Sequence, residues 1–325
     1  MAARNEARNP APAPRDTLIV QRKQPVTDRV VHLTLGRADG TRLPDWTPGA
    51  HIDLVLPDGA TRQYSLLGDP RDPLRYEIAV LREPEGRGGS CFIHDRLTVG
   101  DAVGFGGPRN NFRLTPSPRY RFVAGGIGIT PILPMLRAAT ALGAEWDLLY
   151  LGRTRSSMPF VHELVADHGE RVVVHTSDGG RIDIGRWLDA FDPEVKAYTC
   201  GPVSLIDDVG AATAGWRPGW SRLERFTAAD AGEPARTTPF EVEVLGSGRV
   251  VQVAPGEPVA GALRRAGFDL LTSCSRGVCG TCETDVVSGE PDHRDAILDD
   301  GERAAGTCFF PCVSRSKSDR LVIAL

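Results

Sequence analysis

The sequence lacks the features that would place the protein in a membrane, in a secretory pathway or on a nucleic acid. No apolar run approaches the roughly 20 residues that a membrane-spanning helix requires, which excludes an integral membrane protein. Residues 1–14 have no apolar signal core, and their Ala, Pro, Arg and Asn content predicts a flexible arm. The net charge of −4 is far from the basic excess of a nucleic-acid-binding protein.

The composition is typical of a globular chain with several domains. Apolar residues make up 41% of the 325 residues and charged residues 25%, and this length fits two or three compact cores. Residues 238–325 hold thirteen acidic and nine basic side chains, which account for the whole net charge. Either a separate module that docks a basic partner or a solvated acidic surface would produce this asymmetry.

Hydrophobic periodicity divides the chain into three segments. Residues 15–114 contain short β-type runs separated by turns, which predict a small antiparallel barrel. Strands alternate with helices in residues 115–227, which predicts βαβ units and a parallel sheet. A linker at 228–239 leads to a small mixed module at 240–325 that opens with a hairpin.

Seven cysteines, five of them in the last segment, indicate a metal site. Their odd number argues against a disulfide framework and for a reducing, intracellular environment. Cys274, Cys279 and Cys282, with a fourth cysteine some thirty residues on, have the spacing of a plant-type [2Fe–2S] centre. A zinc ribbon would need two short C-x2-C pairs, and only one is present. By position alone, either Cys308 or Cys312 supplies the fourth ligand.

Two motifs in the first segment predict a flavin site. Arg62-Gln-Tyr-Ser65 ends a predicted strand and offers a cation for phosphate, a ring for stacking and a hydroxyl for flavin N5. Gly86-Arg-Gly-Gly-Ser90 opens a predicted helix at Ser90–Leu97, where backbone N–H groups and the helix dipole favour a phosphate. The candidate flavin-binding residues are Arg62, Gln63, Tyr64, Ser65, Ala79, Val80, Arg87, Gly88, Gly89 and Ser90.

The second segment carries a glycine turn that predicts a nicotinamide site. The stretch before the predicted helix Pro131–Leu142 is a strand and a glycine-rich turn, with Thr130 as N-cap and Pro131 as the first helical residue. It is not the G-x-G-x-x-G fingerprint, but its glycines let a ligand approach the carboxyl end of the strand. The candidates are Gly125, Gly126, Gly128, Thr130, Pro131 and, after a neighbouring predicted strand, Cys200, Gly201 and Pro202.

In this order, the motifs resemble those of the phthalate dioxygenase reductase family, which includes the reductase subunits of vanillate O-demethylases. The resemblance covers about residues 16–325 and implies an antiparallel β-barrel flavin domain, a parallel α/β nicotinamide domain and a β-grasp plant-type ferredoxin domain. It rests on Arg62-x-Tyr64-Ser65, Gly86–Ser90, Gly107-Pro108-Arg109-Asn110-x-Phe112, Gly125–Pro131, Cys200-Gly-Pro202, Glu224-x-Phe226, Cys274-x4-Cys279-Gly-Thr-Cys282, Asp292-His-Arg-Asp295 and Cys312-Val-Ser-Arg315.

The resemblance also implies roles for individual residues. Tyr64 would stack on the flavin and Ser65 would lie near its N5, while Thr130 and Cys200 would border the nicotinamide. Phe226 would shield the flavin until NADH displaces it. The implied catalytic set is Ser65, Thr130, Cys200 and Phe226, and the implied cluster ligands are Cys274, Cys279, Cys282 and Cys312. A C-terminal ferredoxin domain accompanies FMN in this family, whereas relatives with the ferredoxin first usually carry FAD.

The implied enzyme passes electrons from NADH through FMN and a [2Fe–2S] cluster to a partner oxygenase. Asp178, expected near the adenosine ribose, would repel a 2′-phosphate and favour NADH, although Arg153, Arg155 and Arg181 are close in sequence. The expected partner is a Rieske-type aromatic ring-hydroxylating dioxygenase or O-demethylase. The alternatives are a reductase that serves a cytochrome P450 or another acceptor, a redox sensor, and an interaction protein with a zinc-bound tail. We expect a cytoplasmic protein, monomeric when isolated, with no nucleic-acid or membrane partner.

Overall fold

The computed structural model describes residues 16–180, 182–228 and 232–325. Residues 1–15, which include the predicted arm at 1–14, lie outside this part of the chain, as do Arg181 and residues 229–231 of the predicted linker. Over the described residues, three main sheets follow one another along the sequence. No helix in these ranges has the length and apolar character needed to cross a membrane.

The first sheet is an antiparallel barrel, as predicted. It consists of β1 (Asp16–Thr27), β2 (Val30–Gly36), β3 (His51–Val55), β4 (Thr61–Ser65), β5 (Tyr76–Leu81) and β6 (Ala102–Arg109), in the order β4-β3-β6-β1-β2-β5, with α1 (Gly89–Asp95) before β6. Along β2, the buried Leu33 and Leu35 flank a less buried residue, the pattern of a strand with one face in a core. The Leu67 N–H, just beyond β4, donates to the Glu77 carbonyl of β5 at 2.9 Å and closes the barrel.

The second sheet is parallel and has helices between its strands, also as predicted. It consists of β7 (Arg119–Gly125), β8 (Glu145–Gly152), β9 (Val172–Thr176), β10 (Val195–Cys200) and β11 (Ser221–Glu224), with α2 (Ile129–Ala141), α3 (Val161–His168), α4 (Ile184–Leu188) and α5 (Val203–Ala212). The strand order is β11-β10-β7-β8-β9. The strands β8 and β9 follow β7 on one side, and the chain then crosses back to place β10 and β11 on the other side of β7. The order of the strands therefore reverses between β7 and β10. Ligands of open α/β sheets bind at this reversal, beyond the carboxyl ends of the strands.

The third sheet is mixed and packs against one helix. Its strands are β12 (Phe240–Val244), β13 (Arg249–Val253), β14 (Thr284–Ser288), β16 (Cys308–Phe309) and β18 (Arg320–Ala324), and β15 (Pro291–Asp292) pairs with β17 (Arg315–Ser316); the helices are α6 (Val259–Arg265) and α7 (Asp300–Ala305). The predicted hairpin is β12–β13, and β12 also pairs in parallel with β18. The apolar face of α6 covers the sheet, where Leu263 packs with Val242 and Phe309. The cysteine loop lies between α6 and β14.

Candidate functional site

The predicted flavin motif occupies β4, in the wall of the barrel. Antiparallel pairing with β3 sets Ser65 opposite His51 and Tyr64 opposite Ile52. Ser65 is buried, and Tyr64 packs half-buried against the apolar core. Burial raises the pKa of the Tyr64 phenol, which keeps the side chain neutral. Successive residues of the strand therefore carry a neutral aromatic ring and a buried hydroxyl.

The glycine loop before α1 lies against Arg62 of the same strand. The Arg62 guanidinium donates to the Arg87 carbonyl oxygen at 2.6 Å. Gly88 has φ +80°, a left-handed conformation that favours glycine. A Cβ on Gly89 would lie 2.6 Å from Arg62 Nε, so only glycine lets the cation lie this close to the helix start. A guanidinium beside free backbone N–H groups is a donor set that fits a phosphate.

The other flavin candidates make hydrogen bonds within the protein. The Ser90 hydroxyl accepts from the Glu83 N–H at 3.0 Å, so its side chain holds the loop while its own backbone N–H faces the helix start. Ala79 and Val80 are buried on β5, and the Val80 carbonyl accepts from His94 Nε2 of α1 at 2.9 Å. The structure therefore brings β5 to α1.

The two predicted nicotinamide loops meet backbone to backbone. A Cβ on Gly128 would lie 2.2 Å from the Cys200 carbonyl oxygen, and one on Gly125 would lie 2.6 Å from Pro202 Cδ. A Cβ on Gly201 would lie 3.0 Å from Gly125 N. Glycine at these positions therefore lets the carboxyl ends of β7 and β10 close on each other. The predicted residues surround the point where the order of the sheet reverses.

The start of α2 differs from the prediction. The N-cap residue is Gly128, so Thr130 is not the N-cap and Pro131 is not the first helical residue. A short 3-10 turn from Gly126 to Gly128 runs directly into the helix, which therefore begins two residues earlier than predicted. The Thr130 hydroxyl donates to the backbone carbonyl three residues earlier at 2.9 Å. Thr130 and Pro131 are buried under the loop.

Cys200 and Glu224 form a buried pair beside these loops. Parallel pairing sets Cys200 between Ala124 of β7 and Glu224 of β11. Burial raises the pKa of the Glu224 carboxyl to about 8. Burial and the Glu224 carboxyl raise the pKa of the Cys200 thiol, so both groups are neutral near pH 7. Phe226 follows β11 and is 38% exposed. The candidate residues from the sequence included Phe226. They left out Glu224, although both residues belong to the Glu224-x-Phe226 motif.

A cavity of about 190 Å³ lies at the same edge of the parallel sheet. Its lining residues are Leu151, Gly152, His175, Ser177, Gly180, Ile182, Ile184, Ser204, Leu205 and Asp208. Asp178 is exposed between two of the lining residues and accepts a hydrogen bond from the Thr176 hydroxyl. Ser204 and Asp208 of α5 were not among the candidates, because polar residues on a surface helix give no signal in a single sequence.

The four predicted cluster cysteines converge as two pairs. The Cys274 and Cys279 thiols are hydrogen-bonded to each other, and so are those of Cys282 and Cys312. The Arg276 N–H also points at Cys274 Sγ, at 3.3 Å. The hydrogen bond from the partner thiol lowers the pKa of Cys274 and of Cys282, which favours the thiolate form. Two pairs of cysteine sulfurs fit a cluster of two iron atoms.

Cys308 lies away from these pairs. It is on β16, opposite Asp285 of β14. Burial and the nearby carboxylates raise the pKa of its thiol to about 11. The structure therefore brings Cys312, and not Cys308, to the thiol of Cys282.

Two barrel side chains reach the cluster loop, which we define as residues 271–282. His51 Nε2 lies 3.2 Å from the Cys279 carbonyl oxygen, and the Gln63 amide donates to Ser273 Oγ at 2.9 Å. Burial and the charge of Arg109 lower the pKa of His51 to about 4, so the imidazole is neutral. Gln63, a flavin candidate from the sequence, therefore directs its side chain to the cluster loop.

A third contact joins the cysteine-containing module to the parallel sheet. Arg222 of β11 lies 3.8 Å from the Asp299 carboxylate and 3.7 Å from the Glu302 carboxylate. These two acids also cap α7, since the Asp299 side chain accepts from the Glu302 N–H and the Glu302 side chain from the Asp299 N–H. The module thus contacts both of its neighbours.

Comparison with known proteins agrees with this arrangement. Residues 242–317 match the family model of the 2Fe-2S iron-sulfur cluster binding domain. The chain is 43% identical over 286 residues to phenoxybenzoate dioxygenase subunit beta of Ectopseudomonas oleovorans, and the match covers 87% of this chain and 89% of that protein.

Two solved structures are similar over 95% of the chain. One is an intact type IV self-sufficient cytochrome P450 monooxygenase (TM-score 0.88, 40% identity), of which the match covers only 41%. The other is phthalate dioxygenase reductase (TM-score 0.68, 36% identity), of which it covers 97%. The chain therefore belongs to the phthalate dioxygenase reductase family, as a pyridine-nucleotide-dependent reductase component of an oxygenase system that uses a flavin and a [2Fe–2S] cluster.

Proposed function

We propose that the chain carries electrons from NADH, through FMN on β4 and a cluster on four cysteines, to a separate oxygenase. The observation that supports this order is that β4 and the residues directly after it contact both other modules. Arg137 of α2 donates to the Leu67 carbonyl, just beyond β4, at 2.6 Å. Gln63, within β4, donates to Ser273 of the cluster loop at 2.9 Å. This segment therefore contacts both the helix that follows the nicotinamide loop and the cluster loop, as the proposed order requires.

The flavin residues have separate tasks in this proposal. A bound flavin accepts two electrons as a hydride and releases them singly, which the cluster requires. Arg62 and the N–H groups after Gly88 hold the phosphate, and Gly89 lets the guanidinium approach. Tyr64 supplies a face for stacking. The Ser65 hydroxyl donates to the flavin edge from a buried position, where water does not compete.

The nicotinamide residues orient the hydride donor. Gly125, Gly128 and Gly201 let the ring approach the backbone, and Thr130 and Cys200 border it. Because the Cys200 thiol and the Glu224 carboxyl are neutral near pH 7, they place no charge beside the ring. No general acid or base is needed for hydride transfer, so this part of the site works by orientation.

We propose NADH rather than NADPH, and FMN rather than FAD. Asp178 is exposed and lies in the chain between Ser177 and Gly180, which line the cavity, and a carboxylate near that cavity would repel a 2′-phosphate. Arg181, which could offset this repulsion, lies outside the described residues. The preference for FMN rests on the position of the ferredoxin domain at the C-terminal end.

The proposed acceptor is a Rieske-type aromatic ring-hydroxylating dioxygenase or O-demethylase. It is supported by the match to a dioxygenase subunit and to phthalate dioxygenase reductase, each over nearly the full length of both chains. A cytochrome P450 is the second candidate, because the P450 structure is the more similar in shape. There, however, the matching region is part of a longer chain. We further propose a monomer located in the cytoplasm; the free cysteines support the location, because reducing compartments keep thiols unpaired.

An anaerobic titration of the purified protein with NADH tests the proposal. We expect the flavin and iron–sulfur absorbance bands to bleach together, FMN to be released on denaturation, and NADPH to react far more slowly. Bleaching of the flavin alone, in a protein without iron and labile sulfide, would contradict the proposed electron path. Purified oxygenases and P450s, added one at a time, distinguish the two classes of acceptor.

A further inference from the structure

We propose that His51 and Gln63 are positioning residues that hold the cluster loop against the flavin strands and thereby set the rate of electron transfer from flavin to cluster. The inference rests on the proposed function, since it assumes a flavin on β4 and a cluster on the four cysteines. It adds two residues whose task is neither to bind NADH nor to ligate iron.

His51 connects the flavin motif to a cluster ligand through one side chain. It lies on β3 directly opposite Ser65 and is 5% exposed. Its Nε2 is 3.2 Å from the carbonyl oxygen of Cys279. Because a carbonyl oxygen can only accept, Nε2 must carry the proton and donate. The backbone of Cys279 is thus held at a fixed distance from the strand pair that carries Ser65.

Gln63 holds the same loop six residues earlier. Its amide nitrogen donates both to Asp53 Oδ1, at 2.7 Å, and to Ser273 Oγ, at 2.9 Å. Asp53 is buried and forms an ion pair with Arg109, so the acceptor that orients the amide is itself fixed. Ser273 directly precedes the first cluster cysteine. Two hydrogen bonds therefore hold the segment that carries the first two ligands.

At one point the loop also lies directly against a side chain of the flavin domain. Gly280 has φ +74°, and a Cβ there would lie 2.5 Å from Asn111 Nδ2 of the barrel. The segment after Cys279 therefore rests directly on the flavin domain. Since electron transfer slows steeply as the separation of donor and acceptor grows, even a small displacement of this loop would change the rate.

The test compares His51→Leu, His51→Gln, Ser273→Ala and the double variant His51→Leu/Ser273→Ala in the flavin- and cluster-loaded protein. Leu removes the donor with little change in volume, Gln restores an N–H donor, and Ala removes the acceptor of Gln63. The matched control is His94→Leu, which removes a histidine–carbonyl hydrogen bond inside the barrel, away from the cluster loop.

Two measurements are made on each protein. Amide hydrogen exchange of peptides that cover residues 271–282 reports on the attachment of the loop without reference to activity. Stopped-flow mixing with NADH resolves flavin reduction from the subsequent reduction of the cluster. We expect the double variant to exchange at least tenfold faster in this loop and to reduce its cluster at least tenfold more slowly, with flavin reduction within twofold of wild type. His51→Gln should recover most of the loss caused by His51→Leu, and His94→Leu should change neither measurement.

Unchanged loop exchange and unchanged cluster reduction in the double variant would overturn the inference. An equal slowing of flavin and cluster reduction would also overturn it, because it would show a general effect on the barrel. If His51→Leu does not fold, Ser273→Ala alone still tests the contact, with a smaller expected change in the same direction. A wild-type protein that holds no cluster would instead refute the proposed function, and the two failures are thereby distinguished.

Discussion

Replacement of Glu224 with Gln is expected to stabilise the nicotinamide domain at alkaline pH. Burial raises the pKa of this carboxyl from its ordinary 4.5 to about 8 in the folded protein. A group with a raised folded pKa contributes stability that is complete below the unfolded pKa and is lost as the pH rises through the folded one. Wild type therefore loses stability between about pH 4.5 and pH 8. The Gln variant has no carboxyl to ionise and avoids this loss.

The size of the loss follows from the two pKa values. They differ by about 3.5, and each pH unit between them corresponds to about 1.4 kcal/mol. Full ionisation of Glu224 in the folded protein therefore lowers the free energy of unfolding by at most about 5 kcal/mol. About 3 kcal/mol of this is lost by pH 7. Water that reaches the edge strand β11 would reduce these values.

Urea unfolding followed by tryptophan fluorescence measures the difference. Four of the five tryptophans, at positions 146, 187, 216 and 220, lie in the second segment and report on this domain. We expect wild type and Glu224→Gln to unfold at similar urea concentrations near pH 5 and to separate steadily up to about pH 8.5. Glu163→Gln, which removes an exposed carboxylate of α3, controls for the loss of one charge. A Glu224→Gln difference that stays constant with pH would refute the burial argument.

Three further predictions concern the cofactor sites. Cys312→Ser should lose the cluster, measured as iron and labile sulfide, and keep NADH-dependent dye reduction, while Cys308→Ser should keep both; the reverse pattern would show that the wrong ligand was chosen. Gly128→Ala should lower the free energy of unfolding of the nicotinamide domain, measured with urea, by about 3 kcal/mol, because its Cβ would collide with a carbonyl oxygen. Gly215→Ala is the control: its Cβ meets open space, so the free energy of unfolding should change by less than about 1 kcal/mol. Arg62→Met should weaken flavin binding at least tenfold in equilibrium dialysis, since a charge-assisted hydrogen bond contributes about 1.5–3 kcal/mol, and an unchanged affinity would mean that another cation holds the phosphate.

The fold class could be predicted because the types of strand and helix follow from local patterns of the sequence, and the cofactor motifs are local patterns too. Cysteine spacing and the glycine-rich turns depend on neighbouring residues alone. The contact of His51 with the cluster loop joins residues more than two hundred positions apart, so no local pattern in the sequence predicts it. The short edge strand β11, Ser-Arg-Leu-Glu, has too little alternation to be recognised, so Glu224 was not assigned a place beside Cys200. The predicted N-cap at Thr130 was wrong because the preceding glycines already adopt a helical turn.

An ion-pair contact between Arg222 and the two acids that cap α7 joins the ferredoxin domain to the nicotinamide domain. Its carboxylates are already ordered as helix caps, so little side-chain entropy is lost when they meet the arginine. Partly exposed ion pairs near 4 Å contribute only about 0–1 kcal/mol each, and added salt screens them. These two ion pairs therefore contribute little to the free energy of docking. The edge of the cluster loop that faces the barrel is covered by His51 and Gln63. An acceptor that leaves these contacts in place must therefore approach the cysteines from another edge of the loop, so that reduction by the flavin and delivery to the acceptor use different faces of the ferredoxin domain.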